Sequence, residues 1–171
     1  MLIYGDTLEP HGFSFFTAVK VSTTMKKLPT YNKEFEGYRL DNDIDTLPRE
    51  SGVYMIYRCV FDQKTDKVEL KELFYIGKAS DLLQEVKFHK RREEFLAQAK
   101  KGEVLCYSYA LVNKLQYDII ENSLIFMQKP RLNNNLRDSY DHQDAAFHFS
   151  GACGLLDYTD YKIENEVVIS L

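Results

Sequence analysis

Apolar residues occur in short runs along the chain, and the clearest two lie near its middle. Residues 52–60 and 68–76 are rich in β-branched and aromatic side chains, and the polar segment 62–67 separates them. Such side chains are enriched in strands. The pattern therefore predicts a β-hairpin with a longer than minimal connection. Gly77 follows the second run, and we expect it to end that strand.

Two helices and a third strand are predicted after the hairpin. Asp81 is a typical N-cap residue for a helix expected to run to about Lys100, and residues 103–112 form the next apolar run. Residues 117–128 repeat apolar side chains at helical spacing before Pro130, and a proline does not continue a helix. The predicted core is β-β-α-β-α, an α+β fold with a small antiparallel sheet flanked by helices.

The segments on either side of this core give weaker patterns. In residues 1–46, the apolar positions between 13 and 21 are typical of short strands. Residues 138–171 contain a glycine-rich bend and an apolar run, 167–170, that predicts a final strand. We therefore expect a single domain, in which residues 47–137 form the core and carry an extension at each end.

Composition narrows the class of protein. The 171 residues are 44% hydrophobic and 28% charged, which is typical of a soluble globular chain that can bury a core. The sequence has no apolar run near the roughly 20 residues of a membrane span and no secretory signal at its start. Its three cysteines are far apart, which argues against a disulfide framework or a clustered zinc site. We expect a cytoplasmic protein that does not bind membranes.

The charge is unevenly distributed. A net charge of −4 argues against a simple basic nucleic-acid binder. However, residues 50–137 carry a net charge of +3, whereas the C-terminal residues 138–171 carry −6. The middle of the chain can therefore present a basic surface to a polyanion.

Four side chains suggest a reactive site. Tyr54 and Tyr75 lie in neighbouring predicted strands, so the two phenols can meet across the hairpin. Lys78 follows at the point where strand turns into helix. Glu121 lies in the apolar stripe of the second helix, where a buried carboxylate needs a cationic partner such as a metal ion. Each of these residues alone is more often a packing or surface residue, and their order and spacing are the informative feature.

This order resembles that of the GIY-YIG nuclease family. Gly52-Val53-Tyr54 stands where the family has GIY, and Tyr75-Ile76-Gly77 stands where it has YIG. In residues 120–133, IENSLIFMQKPRLN, Glu121 takes the position of the family's glutamate and Asn133 that of an asparagine twelve residues later. The spacing between the two tyrosines exceeds the family's common one, and the excess falls in the polar turn, where insertions cost little.

The resemblance covers residues 47–133 and implies a metal-dependent DNA endonuclease, with the small size of a type II restriction enzyme. It assigns Glu121 to one Mg²⁺ or Mn²⁺ ion, a hard cation that prefers oxygen ligands. It also assigns a motif tyrosine, most simply Tyr54, to accepting the proton of the attacking water. Because the pKa of a free phenol is about 10, Lys78 or His89 would lower that pKa or take the proton onward.

Contacts with double-stranded DNA are expected from the basic stretch beside this site. Lys90, Arg91 and Arg92 belong to it, and an ordinary solvated helix face is an equally weighted alternative. Asn133 is a further candidate for nucleic-acid binding. The flanking segments would supply contacts to bases, because no separate DNA-binding module follows the core. Monomer and homodimer both remain open.

Residue 85 departs from the family pattern. Ten residues after the YIG tyrosine, the family has an arginine that binds the scissile phosphate, whereas this chain has Glu85. A working nuclease would use Arg92, Lys78 and His89 instead, or would use Glu85 as a second metal ligand. Alternatively, the chain carries an inactivating substitution, or it is a catalytically decayed scaffold that binds nucleic acid or protein. On an unbroken helix, Arg92 reaches back towards the site but Arg91 does not.

Overall fold

A six-stranded mixed sheet forms the centre of the structure, a computed structural model in which residues 27–164 are described. The strands are β1 (Thr30–Leu40), β2 (Gly52–Asp62), β3 (Lys67–Ala79), β4 (Val104–Leu111), β5 (Ala145–Gly151) and β6 (Asp160–Ile163). The α-helices are α1 (Leu82–Lys87), α2 (Arg92–Leu96) and α3 (Tyr117–Gln128), and a 3-10 helix spans Asp41–Thr46. The α+β class is as predicted, but the predicted antiparallel sheet is wrong, because β5 runs parallel to β1 in a larger, mixed sheet.

The predicted hairpin is confirmed, and it lies at one side of the sheet. The strand order is β3-β2-β4-β1-β5-β6. β3 pairs with β2, β2 with β4, and β4 with β1, all antiparallel, whereas β5 runs parallel to β1. The second strand of the hairpin does not end at Gly77, because its ladder with β2 continues to Ala79. Gly77 is therefore an interior residue of an edge strand.

β2 is buried on both faces, because alternate residues point into two separate cores. Val53, Met55 and Tyr57 pack into the core that contains α3, β5 and β6. Tyr54 and Ile56 pack into the other core, which contains α1 and α2. A strand buried on both faces reads as a continuous apolar run, which is why this one is conspicuous in the sequence.

The helix predicted from residue 81 to about residue 100 is wrong in its extent. Asp81 is the N-cap, and its side chain accepts a hydrogen bond from the Gln84 N–H at 2.9 Å. However, α1 ends at Lys87 and α2 begins only at Arg92. Val86 and Phe95 are both buried in the same core, and on one unbroken helix they would point about 180° apart. The break allows both side chains to be buried.

The terminal segments contribute more strands than their patterns predicted. β1 precedes the predicted core, and β5 and β6 follow it, yet all three belong to the same sheet. The third strand of the core and the helix at 117–128 are confirmed. The apolar positions 13–21 and the strand predicted at 167–170 lie outside the described residues. Within residues 27–164, no helix is both long enough and apolar enough to cross a membrane.

Candidate functional site

Gly77 makes room for the ring of Tyr54. The two residues lie opposite each other in the β2–β3 ladder. A Cβ atom at position 77 would come within 2.6 Å of both Cζ and the hydroxyl oxygen of Tyr54, closer than such atoms can approach. The ring of Tyr54 is also almost completely buried, with 1% of the residue exposed. The glycine is therefore required for space, and it lets the phenol cross β3 towards the edge of the sheet.

Tyr75 is the diagonal neighbour of Tyr54 on the same ladder. It lies two residues before Gly77, and its ring centroid is 6.2 Å from that of Tyr54. Each phenol also affects the pKa of the other. On its other side, the ring of Tyr75 contacts those of His89 and Phe95, with centroids at 5.5 and 4.8 Å. The two tyrosines therefore form one pair, as the sequence predicted.

The environments of the two phenols differ. Burial raises the pKa of Tyr54 well above its usual value, and the neighbouring Tyr75, Glu85 and Glu121 raise it further. Burial and the Glu121 charge also raise the pKa of Tyr75, but the Arg91 guanidinium and the side chain of Tyr54 oppose them. Tyr75 is thus the phenol whose ionised form is less disfavoured, and it is the better candidate to accept a proton.

A lysine joins the site to two carboxylates of α3. Lys78 Nζ lies 2.6 Å from Glu121 Oε2 and 2.7 Å from Asp118 Oδ1. Burial raises the pKa of Glu121, although Lys78 opposes this. Burial also acts to lower the pKa of Lys78, but Asp118 and Glu121 together outweigh it, so that this pKa is raised. Lys78 is therefore a stable cation and not a proton acceptor in this arrangement.

The donor set at Glu121 fits a hard divalent cation. Among residues 27–164, there is no cluster of three or more His, Cys, Asp or Glu that could hold a metal ion, so a cage made of protein ligands alone is not built here. Mg²⁺, however, usually keeps several waters and binds through one or two carboxylates together with substrate phosphates. The carboxylate of Glu121 is of this kind: it is mostly buried, and its charge raises the pKa of both phenols.

His89 lies against the phenol pair as a neutral ring. Burial lowers its pKa, and the Arg91 and Lys90 charges lower it further, whereas Glu85 opposes them. Nδ1 accepts a hydrogen bond from the Arg91 N–H at 3.0 Å, so the neutral ring carries its proton on Nε2. That nitrogen lies 3.6 Å from Oε1 of Glu85, whose side chain is 47% exposed. His89 can therefore donate one hydrogen bond into the site.

Arg91, and not Arg92, reaches the phenol pair. The Arg91 guanidinium lies 5.6 Å from the centroid of the Tyr75 ring. It is held by Glu94, with two contacts of 2.7 Å, and by a 2.8 Å hydrogen bond to the carbonyl of Leu132. The break between α1 and α2 turns this residue inwards. The prediction that a continuous helix keeps Arg91 away from the site is wrong for this reason.

The side chain of Arg92 binds residues outside the phenol pair. Its guanidinium contacts the carboxylate of Asp41 at 2.9 and 3.0 Å and the hydroxyl of Tyr107 at 3.2 Å. Neither partner belongs to the phenol pair or its carboxylates, so this geometry gives no support to the prediction that Arg92 replaces the missing arginine. Lys90 is exposed and is available to a phosphate.

Asn133 supports the backbone of β3. Its side-chain Oδ1 accepts the N–H of Ile76 at 2.9 Å, and its Nδ2 donates to the carbonyl of Ile76 at 2.8 Å. Both ends of the buried amide are thus used on the residue between Tyr75 and Gly77. The predicted nucleic-acid contact of Asn133 is wrong, because the side chain fixes the edge strand from which the site is built.

Sequence reasoning missed Asp118. This residue precedes Glu121 by three positions, so that the two lie on neighbouring turns of one face of α3. The three-residue spacing of the two acidic residues could have indicated a shared partner. The structure identifies that partner as Lys78, which contacts both carboxylates.

The site therefore combines two phenols, a neutral imidazole, a guanidinium and a lysine–carboxylate cluster at one edge of the sheet. Each comes from a different place in the chain: β2, β3, the α1–α2 break and α3. Comparison of this chain with protein-family models, curated proteins and solved structures found no match.

Proposed function

We propose that this chain is a metal-dependent DNA endonuclease of the GIY-YIG type. The observation that supports the proposal most is that Tyr54 and Tyr75 pack against each other close enough to Glu121 for its charge to raise the pKa of both phenols. These residues are up to 67 positions apart, and packing alone does not require two phenols and a buried carboxylate in one place. Titratable groups with shifted pKa values concentrate at functional sites.

Hydrolysis of a phosphodiester needs a proton acceptor for the attacking water and positive charge for the phosphate oxygens. The Tyr75–Tyr54 pair supplies the acceptor: Tyr75, in its phenolate form after its own proton has passed to solvent, takes the proton of the attacking water. Neutral His89 donates a hydrogen bond through Nε2 to a non-bridging oxygen. Glu121 would hold a divalent cation, which would supply positive charge to the phosphate and to the leaving oxygen.

Arg91 supplies the positive charge that Glu85 cannot. It is a planar guanidinium that already lies over Tyr75, and two of its N–H groups remain beyond those bound by Glu94 and Leu132. A guanidinium suits phosphate because it can bind two oxygens at once. Of the hypotheses raised by residue 85, this arrangement favours a working nuclease with a relocated arginine.

Cleavage of supercoiled plasmid DNA tests the proposal. Purified chain should convert it to nicked and linear forms with Mg²⁺ or Mn²⁺ and not with a chelator in excess. Glu121→Gln, purified in the same way, is the matched control against a contaminating nuclease, and it should not cut. Equal cutting by both proteins would overturn the assignment. DNA binding without cutting by the wild type would favour the decayed binding scaffold.

A further inference from the structure

One ammonium group bridges two carboxylates at the site. Lys78 Nζ contacts Asp118 and Glu121 at almost equal distances, 2.7 and 2.6 Å. The two carboxylates differ in their access to water, since the side chain of Asp118 is 55% exposed and that of Glu121 only 11%. The lysine itself is one-third exposed. Lys78 therefore connects a buried anion with one that water can solvate.

Surface lysines of this chain are paired differently. Lys71 with Glu69, and Lys129 with Asp138, each join one ammonium to one carboxylate at the surface. Pairs of that kind contribute little to stability. At Glu121 the situation differs, because a buried carboxylate without a partner is costly. Whenever no other cation is bound, Glu121 needs Lys78.

We propose that Lys78 is the resident counter-ion of Glu121, and that Asp118 is a positioning residue that retains the ammonium when Glu121 exchanges it for a divalent cation. The inference rests on the metal assignment in the proposed function. A divalent ion that arrives at Glu121 is repelled by an ammonium still bound there. Asp118 already shares the ammonium and is well solvated, so that Lys78 can leave Glu121 without losing its only partner. Asp118 thereby strengthens metal binding without touching the metal.

Binding of Mn²⁺ to the DNA-free protein, measured by titration calorimetry or by loss of the free Mn²⁺ EPR signal, tests this directly. Asp118→Asn should weaken binding about tenfold, because Lys78 then pairs with Glu121 alone. Lys78→Met should strengthen binding about tenfold, because the competing cation is gone. Asp138→Asn is the matched control, since it also removes a carboxylate that is paired with a lysine, and it should leave binding unchanged.

The double variant Asp118→Asn/Lys78→Met separates positioning from a direct effect of charge. If Asp118 acts through Lys78, its replacement should change Mn²⁺ affinity less than about twofold when Lys78 is absent. An undiminished tenfold loss in the Lys78→Met background would overturn the inference, since Asp118 would then act on the metal itself. If Glu121→Gln does not weaken Mn²⁺ binding, the metal assignment fails instead, and this inference with it. Far-UV circular dichroism confirms that each variant is folded.

Discussion

Two ion clusters lie on the same β2–β3 hairpin, and their electrostatics are opposite. In the first, Arg58 binds Glu72 and Glu103, and Arg131 adds a second cation to Glu72. Hydrogen bonds from Arg131 and Arg58 lower the pKa of Glu72. The Lys100 N–H and Arg58 lower that of Glu103, and Glu72 in turn raises the pKa of Arg58. Arg58, Glu72 and Glu103 are thus each stabilised in the charged form.

The second cluster lies four residues earlier in β2, at Tyr54, about 13 Å from Arg58. Here burial raises the pKa values of Tyr54, Tyr75 and Glu121 and lowers that of His89. Each of these groups is thus disfavoured in its charged form, and one lysine serves two carboxylates. This contrast is the one expected if the first cluster stabilises the fold and the second serves the proposed hydrolysis.

The largest expected effect is that of Glu121→Gln on the cleavage rate, and it distinguishes a role in activity from a role in stability. Cleavage should fall at least about 10³-fold, the equivalent of about 4 kcal/mol, because the cation loses its protein ligand. Stability should change by less than about 1 kcal/mol, since Lys78 keeps Asp118 and no unpaired buried charge remains. Single-turnover cleavage and urea denaturation measure the two quantities. A large loss of stability with the rate preserved would assign Glu121 to the stabilising class.

Arg58→Met is the converse change. It should lower the free energy of unfolding by about 3 kcal/mol, because it leaves two carboxylates of low exposure without their shared cation. The cleavage rate of the folded protein should stay within about twofold of the wild type. Lys71→Met is the matched control, since it breaks an exposed pair with Glu69 and should cost under about 1 kcal/mol. Urea denaturation midpoints compare the three proteins.

Features that depend on the local sequence pattern could be predicted from the sequence, and features that depend on contacts between distant residues could not. The hairpin, the N-cap at Asp81 and the helix of Glu121 follow from periodicity and capping, and they bring the two tyrosines together. The break between α1 and α2 arises from tertiary packing of Val86 and Phe95 in one core, which has no local signal. Arg91 was consequently placed outside the site.

β1, β5 and β6 were missed for a related reason. β1 pairs with β4 and with β5, partners roughly 70 and 115 residues away in the sequence. Pairings between residues so far apart leave no local signal in the sequence. Asn133 was likewise assigned to DNA because the motif gave its position but not its partner, the backbone of Ile76.

Variants of the adjacent Arg91 and Arg92 test which of the two binds the phosphate. Arg91→Ala should lower the cleavage rate about 10²-fold, since it removes a preorganised positive charge near the phosphate, while DNA affinity falls only a few-fold. Arg92→Ala should lower stability through Asp41 and Tyr107 but leave the rate of the folded protein unchanged. Arg91→Lys should restore part of the rate, because it keeps the charge but loses the planar fork. The reverse ranking of the two alanine variants would return the role to Arg92.

Lowering the pH should reduce the contribution of Arg58 to the free energy of unfolding. The folded pKa of Glu72 is below its unfolded value, so its contribution to stability is present above about pH 4.5 and is lost as the pH falls through the folded pKa. The stability deficit of Arg58→Met relative to wild type should therefore shrink between about pH 5 and pH 3. Urea denaturation across this range measures it, and a deficit independent of pH would mean that lost packing, not charge, causes it.

The smallest effect concerns Glu85, a half-exposed anion beside the phenol pair. Its charge raises the pKa of both phenols and faces the region where a phosphate would bind. Because the side chain is 47% exposed, water screens much of this repulsion. Glu85→Gln should therefore raise the cleavage rate only about two- to fivefold, with the larger gain at low ionic strength. Glu93→Gln, on the exposed surface of α2, removes the same charge away from the phenols and should not change the rate. A loss of more than about tenfold in the rate of Glu85→Gln would instead identify Glu85 as a second ligand of the cation. The second cluster would then hold its metal ion with two carboxylates, and Lys78 would act as counter-ion to both when no metal ion is bound.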